Sequence, residues 1–143
     1  MESPAFNFLP FGTIDSRREF AAITPMLARV ERRAGQIGLA DRLMVQRVQN
    51  LSYMDVIYRD KELIGVVVAT PTVTALWVDA IFIQPHQCDD AIMQAVDGHL
   101  QGRARSQNLP CIRGSQQFRG GRSFMERAGW KPIATQYERK VSP

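Results

Sequence analysis

The segment from Thr74 to Ser106 constrains the fold more than any other part of the chain. Thr74 to Ile83 is rich in β-branched and aromatic residues and is largely apolar on both alternating faces. Trp77, Asp79, Ile81 and Ile83 fall on one face and Leu76, Val78, Ala80 and Phe82 on the other. A strand buried on both sides belongs in the middle of a sheet with a layer above and a layer below. Gln84-Pro85 ends it, and Asp90 to Ser106 follows as an amphipathic helix. Its inner stripe is Ala91, Ile92, Ala95, Val96, His99, Leu100 and Arg103, with Gln94, Asp97, Gln101 and Arg105 mostly elsewhere. Leu109 to Arg113 then reads as a short strand. A crossover helix of this length between two strands makes them parallel neighbours, so Ile83 and the Leu109 strand are predicted to lie side by side with their C-terminal ends splayed.

The rest of the chain fits around that unit. Ser16-Arg17-Arg18-Glu19 has the form of a capping box, and Phe20, Ile23, Leu27 and Val30 recur at helical spacing, which predicts a helix from about Arg17 to Arg33. Pro25 is expected to kink it or shift its start. Gly35 and Gly38 close it, and Asp41 is placed to cap a second helix carrying Leu43, Met44, Val48 and Leu51. From Tyr53 the period changes to two. Tyr53 to Arg59 and Leu63 to Thr70, joined by Asp60-Lys61-Glu62, read as an antiparallel hairpin. Beyond Arg113, Gly120-Gly121 opens a loop, Arg122 to Ala128 reads as a helix of one to two turns, and Thr135 to Val141 as a final strand. Residues 1–14 are too apolar for a free tail and too broken by proline for a helix, so they form either an edge strand or an arm that packs on a neighbour. Residues 15–143 are then one domain of α/β (α+β) class, a central mixed β-sheet flanked by helices on both faces; 143 residues at 45% apolar content suffice for its core.

Ala80-Ile81-Phe82-Ile83-Gln84-Pro85, the helix after it, and Ser123-Phe124-Met125-Glu126-Arg127-Ala128-Gly129-Trp130 resemble the acetyl-CoA strand, helix and closing helix of the GCN5-related N-acetyltransferases (GNAT superfamily). The resemblance covers about the last ninety residues in order and spacing, and it implies the fold just described. The family pattern there is V-x-P-x-x-[RQ]-G-x-G-[IV]-G. Counted from Pro85, its Arg or Gln falls on Cys88, its glycines on Asp89, Ala91 and Met93, and its branched residue on Ile92, so only the apolar position is kept. In the family those glycines let backbone N–H groups converge on a pyrophosphate at a helix N-terminus. Carboxylates at Asp89 and Asp90 would instead cap the helix and repel a diphosphate. The resemblance thus marks Ile83, Gln87, Cys88, Asp89, Asp90, Ala91 and Ile92 as a vestigial cofactor loop. It also implies a general base at Asp79, should the chain be active, because a carboxylate on this strand often deprotonates the attacking amine. The family's usual general acid, a tyrosine, is replaced by Met125, which has no proton to give. Tyr53, Tyr58 and Tyr137 are the remaining phenols that could supply one.

Charge is unevenly spread. Residues 1–100 hold 9 basic and 12 acidic side chains and residues 101–143 hold 9 basic and 2 acidic, so the last third carries +7 against −3 for the rest, a net of +4. That end, with Arg119, Arg122 and Arg127, would attract an acidic surface or nucleic acid. Arg119-Gly120-Gly121-Arg122 could also form a small anion-binding nest. Phe6, Phe8, Leu9 and Phe11 are the apolar counterpart, a patch that needs cover from its own domain or from another chain. Cys88 and Cys111 lack metal-ligand spacing and read as reduced packing residues, and His86 and His99 lack a third ligand, so no metal is expected. No apolar run approaches the roughly 18 residues of a membrane span. Met1-Glu2-Ser3-Pro4 does not read as a signal peptide, so a cytoplasmic protein is expected.

Three functions follow as expectations. The first is a non-catalytic binding or structural module with the acetyltransferase fold and no cofactor, acting on a protein partner or by self-association. By analogy with degenerate domains of this fold in phage heads, it would be a phage virion or assembly component in a virion or host cytoplasm. The second is an active N-acetyltransferase using acetyl-CoA. The third is a nucleic-acid-binding module built on the basic C-terminal third.

Overall fold

The computed structural model describes residues 6–115, 129–133 and 136–142. Seven strands form one sheet: β1 (Phe6–Pro10), β2 (Tyr53–Arg59), β3 (Glu62–Pro71), β4 (Leu76–Ile83), β5 (Cys111–Ser115), β6 (Lys131–Ile133) and β7 (Gln136–Lys140), in the spatial order β1-β2-β3-β4-β5-β7-β6. Three helices accompany them, α1 (Ser16–Ala34), α2 (Leu39–Val48) and α3 (Asp90–Ser106). Every pairing is antiparallel except β4 with β5, which is parallel, as the strand, crossover helix, strand order requires.

Burial divides the core into two layers. Ile92, Val96, Leu100 and Ala104 of α3 pack with Ile57, Val67, Val78 and Ile112 on one face of the sheet. Ile23, Leu27 and Val30 of α1 and Leu43 of α2 pack with Val56, Val66, Val68, Ala80 and Phe82 on the other. The α3 stripe differs in detail from the sequence reading. Met93 is buried and Ala91 exposed, while Gln101 is buried and its Oε1 accepts the Ser142 N–H at 3.0 Å.

The helix ends show where local signals were misread. Asp15, not Ser16, is the N-cap of α1, accepting the Arg18 N–H at 3.1 Å. Glu19 does not turn back to complete a capping box. It is fully buried against the sheet, where its carboxylate accepts the Gly12 N–H at 2.7 Å and the Tyr58 hydroxyl at 2.6 Å. The helix runs unbroken through Pro25 and stops at Gly35, whose φ of 64° is the left-handed conformation glycine adopts without steric cost. Gly38 is the N-cap of α2, and Asp41 falls inside its first turn. The strand after α3 starts at Cys111 rather than Leu109, and the three-residue β6 was not foreseen.

Residues 6–11 are not an arm reaching for another chain. Phe6 to Pro10 pair antiparallel with Arg59 to Asp55 as the edge strand of the sheet. Phe6 and Phe8 pack on the α3 layer and Leu9 and Phe11 on the α1 layer, so their own domain supplies the cover. The expected helix at Arg122 to Ala128 lies outside the described residues, as do Gly120-Gly121 and the basic candidates Arg119, Arg122 and Arg127.

Candidate functional site

The site is built on β4 and the loop that leaves it. The parallel register of β4 with β5 is Leu76 with Ile112, Trp77 with Arg113 and Val78 with Gly114, and β4 runs on to Ile83 paired with β3. On its other edge β4 carries a bulge: Val78 pairs with Ala69 and Ala80 with Val68, so the β3 register passes over Asp79. Strict alternation is therefore wrong along this strand. Leu76 and Val78 share the α3 layer with Ile83, while Ala80 and Phe82 join the α1 layer. Asp79 sits in this bulge and hydrogen-bonds the side chain of Thr70.

Asp79 is 8% exposed and accepts the Thr70 hydroxyl at 2.6 Å. Thr70 Oγ1 lies 2.7 Å from Ser52 Oγ, which is 3.2 Å from Gln46 Oε1. Burial pushes the Asp79 carboxyl above its ordinary value, only partly offset by the Thr70 hydrogen bond and the charge of Arg42. A carboxylate whose pKa is raised is a stronger base than an ordinary one.

The loop leaving β4 carries the other predicted residues. Ile83 is buried at the strand end, the Gln84 N–H donates to Ile64 O at 2.8 Å, and Pro85–Gln87 make one 3₁₀ turn. Gln87 Oε1 accepts from Arg59 Nη1 at 2.7 Å. Asp89 is the N-cap of α3 and accepts the Ile92 N–H at 3.0 Å, while Asp90 is exposed in the first turn beside it. Ala91 is exposed and Ile92 fully buried. The Cys88 thiol is pushed up, first by desolvation and then by the Asp89 charge, with Arg33 acting in the opposite sense. Arg33 itself lies over the Phe82 ring at 5.7 Å, so α1 brings a cation to the loop that the sequence pattern did not signal.

Asp79 and the loop are thus on one strand and its exit, while the two phenols among the described side chains are engaged with other partners. Tyr58 is pushed up to about 12 by burial and by the Glu19 carboxylate it donates to. Tyr53 packs on the α3 layer, under the Arg103 guanidinium at 4.1 Å, and its oxygen accepts from Gln107 at 2.6 Å. The side chain of Tyr137 lies outside the described residues.

A second polar cluster was missed entirely because its members sit far apart in sequence. Asp55 on β2, 2% exposed, accepts from His99 Nε2 at 2.6 Å and from Arg103 at 2.8 and 3.2 Å. His99 stacks on Phe8 with ring centroids 4.3 Å apart. The cluster pins α3 to the β1–β2 edge. Among the described residues no group of three His, Cys, Asp or Glu side chains could hold a metal, and both cysteines are free. No helix among them is long and apolar enough to cross a membrane.

No protein-family profile matches this sequence, and no curated protein does. Solved structures match over nearly the whole chain. An acetyltransferase from Streptococcus agalactiae superposes with a TM-score of 0.75 at 10% identity, covering 95% of this chain and 98% of that one. A GNAT-family acetyltransferase from Staphylococcus aureus gives 0.73 at 9% identity, with 96% and 100% covered. The aminoglycoside 6'-N-acetyltransferase of Enterococcus faecium gives 0.71 at 12% identity, with 96% and 98% covered. With a mixed sheet whose parallel β4–β5 pair is joined by the crossover helix α3, the chain has the fold of the GCN5-related N-acetyltransferase superfamily.

Proposed function

We propose that this protein is a GNAT-fold module that works by binding another macromolecule and does not hold acetyl-CoA at the loop after β4. One observation carries the reading: the Asp89 carboxylate already accepts the Ile92 N–H at the α3 N-terminus. That amide and the positive end of the helix dipole are what a diphosphate would use. Asp90 adds a second carboxylate at the same end. Each like-charge contact at about 4 Å near a protein surface costs on the order of a few kcal/mol before screening. Millimolar acetyl-CoA titrated into the protein by calorimetry is expected to give no binding heat, and a micromolar dissociation constant overturns the proposal. Asp89→Gly/Asp90→Asn, which restores the family's glycine at 89 and removes the second carboxylate, is the positive control for the geometry. The setting we propose, a phage virion or its assembly, is tested by mass spectrometry of purified particles.

A second reading, an acetyl-CoA-dependent N-acetyltransferase, is favoured by Asp79, a buried carboxyl with raised pKa in the bulge of β4. It predicts acetyl transfer to an amine that Asp79→Asn abolishes. Nucleic-acid binding through the basic C-terminal third remains a third proposal, tested by the salt dependence of binding to DNA and RNA.

A further inference from the structure

β1 ends at Pro10, opposite Asp55, and the Phe11 N–H still donates to Met54 O at 2.8 Å, so the opening on the β2 edge begins at Tyr53. Two adjoining cavities of about 190 and 230 Å³ occupy that opening and share Asn50, Ser52 and Tyr53 in their walls. Both helical layers reach it. α2 contributes Arg47, and α3 contributes Arg103 with Gln107 just beyond its end.

The two guanidinium groups are in different states. Arg103 is committed, bonded twice to Asp55 and stacked on Tyr53. Arg47 lies over the Phe11 ring at 5.6 Å and donates one hydrogen bond, from Nη2 to Phe11 O at 3.1 Å. Among the described residues no carboxylate forms an ion pair with it. A guanidinium has five N–H donors, so most of this one is available to a ligand. The negative end of α2 does not cancel the charge, because its last carbonyls are already bonded: Gln49 N–H to Val45 O, Asn50 N–H to Arg47 O and Leu51 N–H to Gln46 O. With Asp55 neutralised by Arg103, the cleft keeps one uncompensated positive charge, ringed by the amide and hydroxyl groups of Asn50, Ser52 and Gln107.

We propose that this cleft is an oxyanion-binding site for a singly charged phosphate or carboxylate group, with Arg47 as its principal ligand. It lies at the Leu76 end of the sheet, away from the loop after β4, and is independent of the function proposed above. The cleft holds the head group and the apolar wall of Pro10, Phe11 and Pro71 takes what is attached to it.

The test is titration of the intact protein with inorganic phosphate and, separately, sodium acetate, followed by amide NMR shifts with sodium chloride at matched ionic strength as control. Saturable shifts at residues 47 to 53 in the millimolar range are expected. Response to phosphate alone identifies a phosphate ligand, and response to acetate alone identifies a carboxylate. Arg47→Gln should weaken binding about ten-fold or more, the loss of a charge-assisted hydrogen bond worth about 1.5 kcal/mol. Should Arg47→Gln not fold, Asn50→Asp sets a carboxylate at the mouth at a residue already left-handed, φ 58°, and should weaken binding comparably. Shifts reproduced by chloride, confined to the α3 N-terminus, or unchanged in both variants overturn the proposal.

Discussion

Removing the Asp55 carboxylate is expected to destabilise the protein more than any surface change. The side chain is 3% exposed and accepts three hydrogen bonds from α3, one from His99 and two from Arg103. Burial alone would raise its pKa; the bonds from His99 and Arg103, with their charges, outweigh burial and hold it below the ordinary value. Asp55→Ala strands both donors. Breaking a buried ion pair from one side costs about 3–5 kcal/mol. Arg103 is 27% exposed and can turn to water, which places this site near the low end, about 3 kcal/mol. At roughly 2–4 °C per kcal/mol for a domain of this size, Tm should fall by about 6–12 °C. Thermal unfolding by circular dichroism measures it. Because the folded pKa lies below the unfolded 3.8, the stabilisation is complete above that pH and is lost as pH falls through the folded value. The gap between native and variant should therefore close in acid. A gap under about 2 °C at neutral pH, on the same scale, would show the cluster to be an ordinary screened surface pair.

Gly65→Ala places a Cβ 2.4 Å from Phe82 O and 2.9 Å from the Ile83 side chain, so β3 and β4 must separate. A loss of about 1–3 kcal/mol is expected in denaturant unfolding. Tyr58→Phe leaves the buried Glu19 carboxylate with the Gly12 N–H alone, for about 1–3 kcal/mol, and the native phenol should not titrate in absorbance until pH about 12. Asp79 carries the opposite pH sign to Asp55. Its folded pKa lies above 3.8, so its contribution is full below that pH and lost as pH rises through the folded value. Asp79→Asn has no such loss and should gain stability relative to the native protein from mild acid to neutral; a relative loss over that range would refute the burial argument.

The parallel β4–β5 pair and α3 were legible in sequence because a strand, crossover helix, strand order admits one arrangement. The hairpin was legible because its period and turn residues agree. What was not legible came from long-range satisfaction of polar groups. Glu19 looked like half of a capping box because the local pattern is correct, yet Tyr58, 39 residues away, gives it a better partner. His99 and Arg103 were legible on the inner stripe of α3, but their partner Asp55 was not, since only the tertiary fold brings β2 against α3. The Asp79 bulge was invisible for a related reason: nothing in an alternating run of apolar residues marks where a register slips by one. Its consequence is that Asp79 and Ala80, adjacent in the chain, both leave the α3 face.

Among the candidate site residues the sequence was most informative at the cofactor loop, and stability explains why the aspartates there are telling. Asp89 caps α3, but the fold does not require it. Glycine at an N-cap costs only a few tenths of a kcal/mol relative to aspartate, whereas alanine costs about 1 kcal/mol. A glycine at 89 would thus leave α3 nearly as stable and free the Ile92 N–H for an anion. Asp90 places a second carboxylate in the first turn, at the positive end of the helix dipole. An aspartate at 89, where the fold would accept glycine at almost no loss, with a second carboxylate beside it, is compatible with a loop that has no diphosphate to hold. That is the physical reason for ranking the binding module above the acetyltransferase, even though Asp79 keeps a carboxyl of raised pKa on β4.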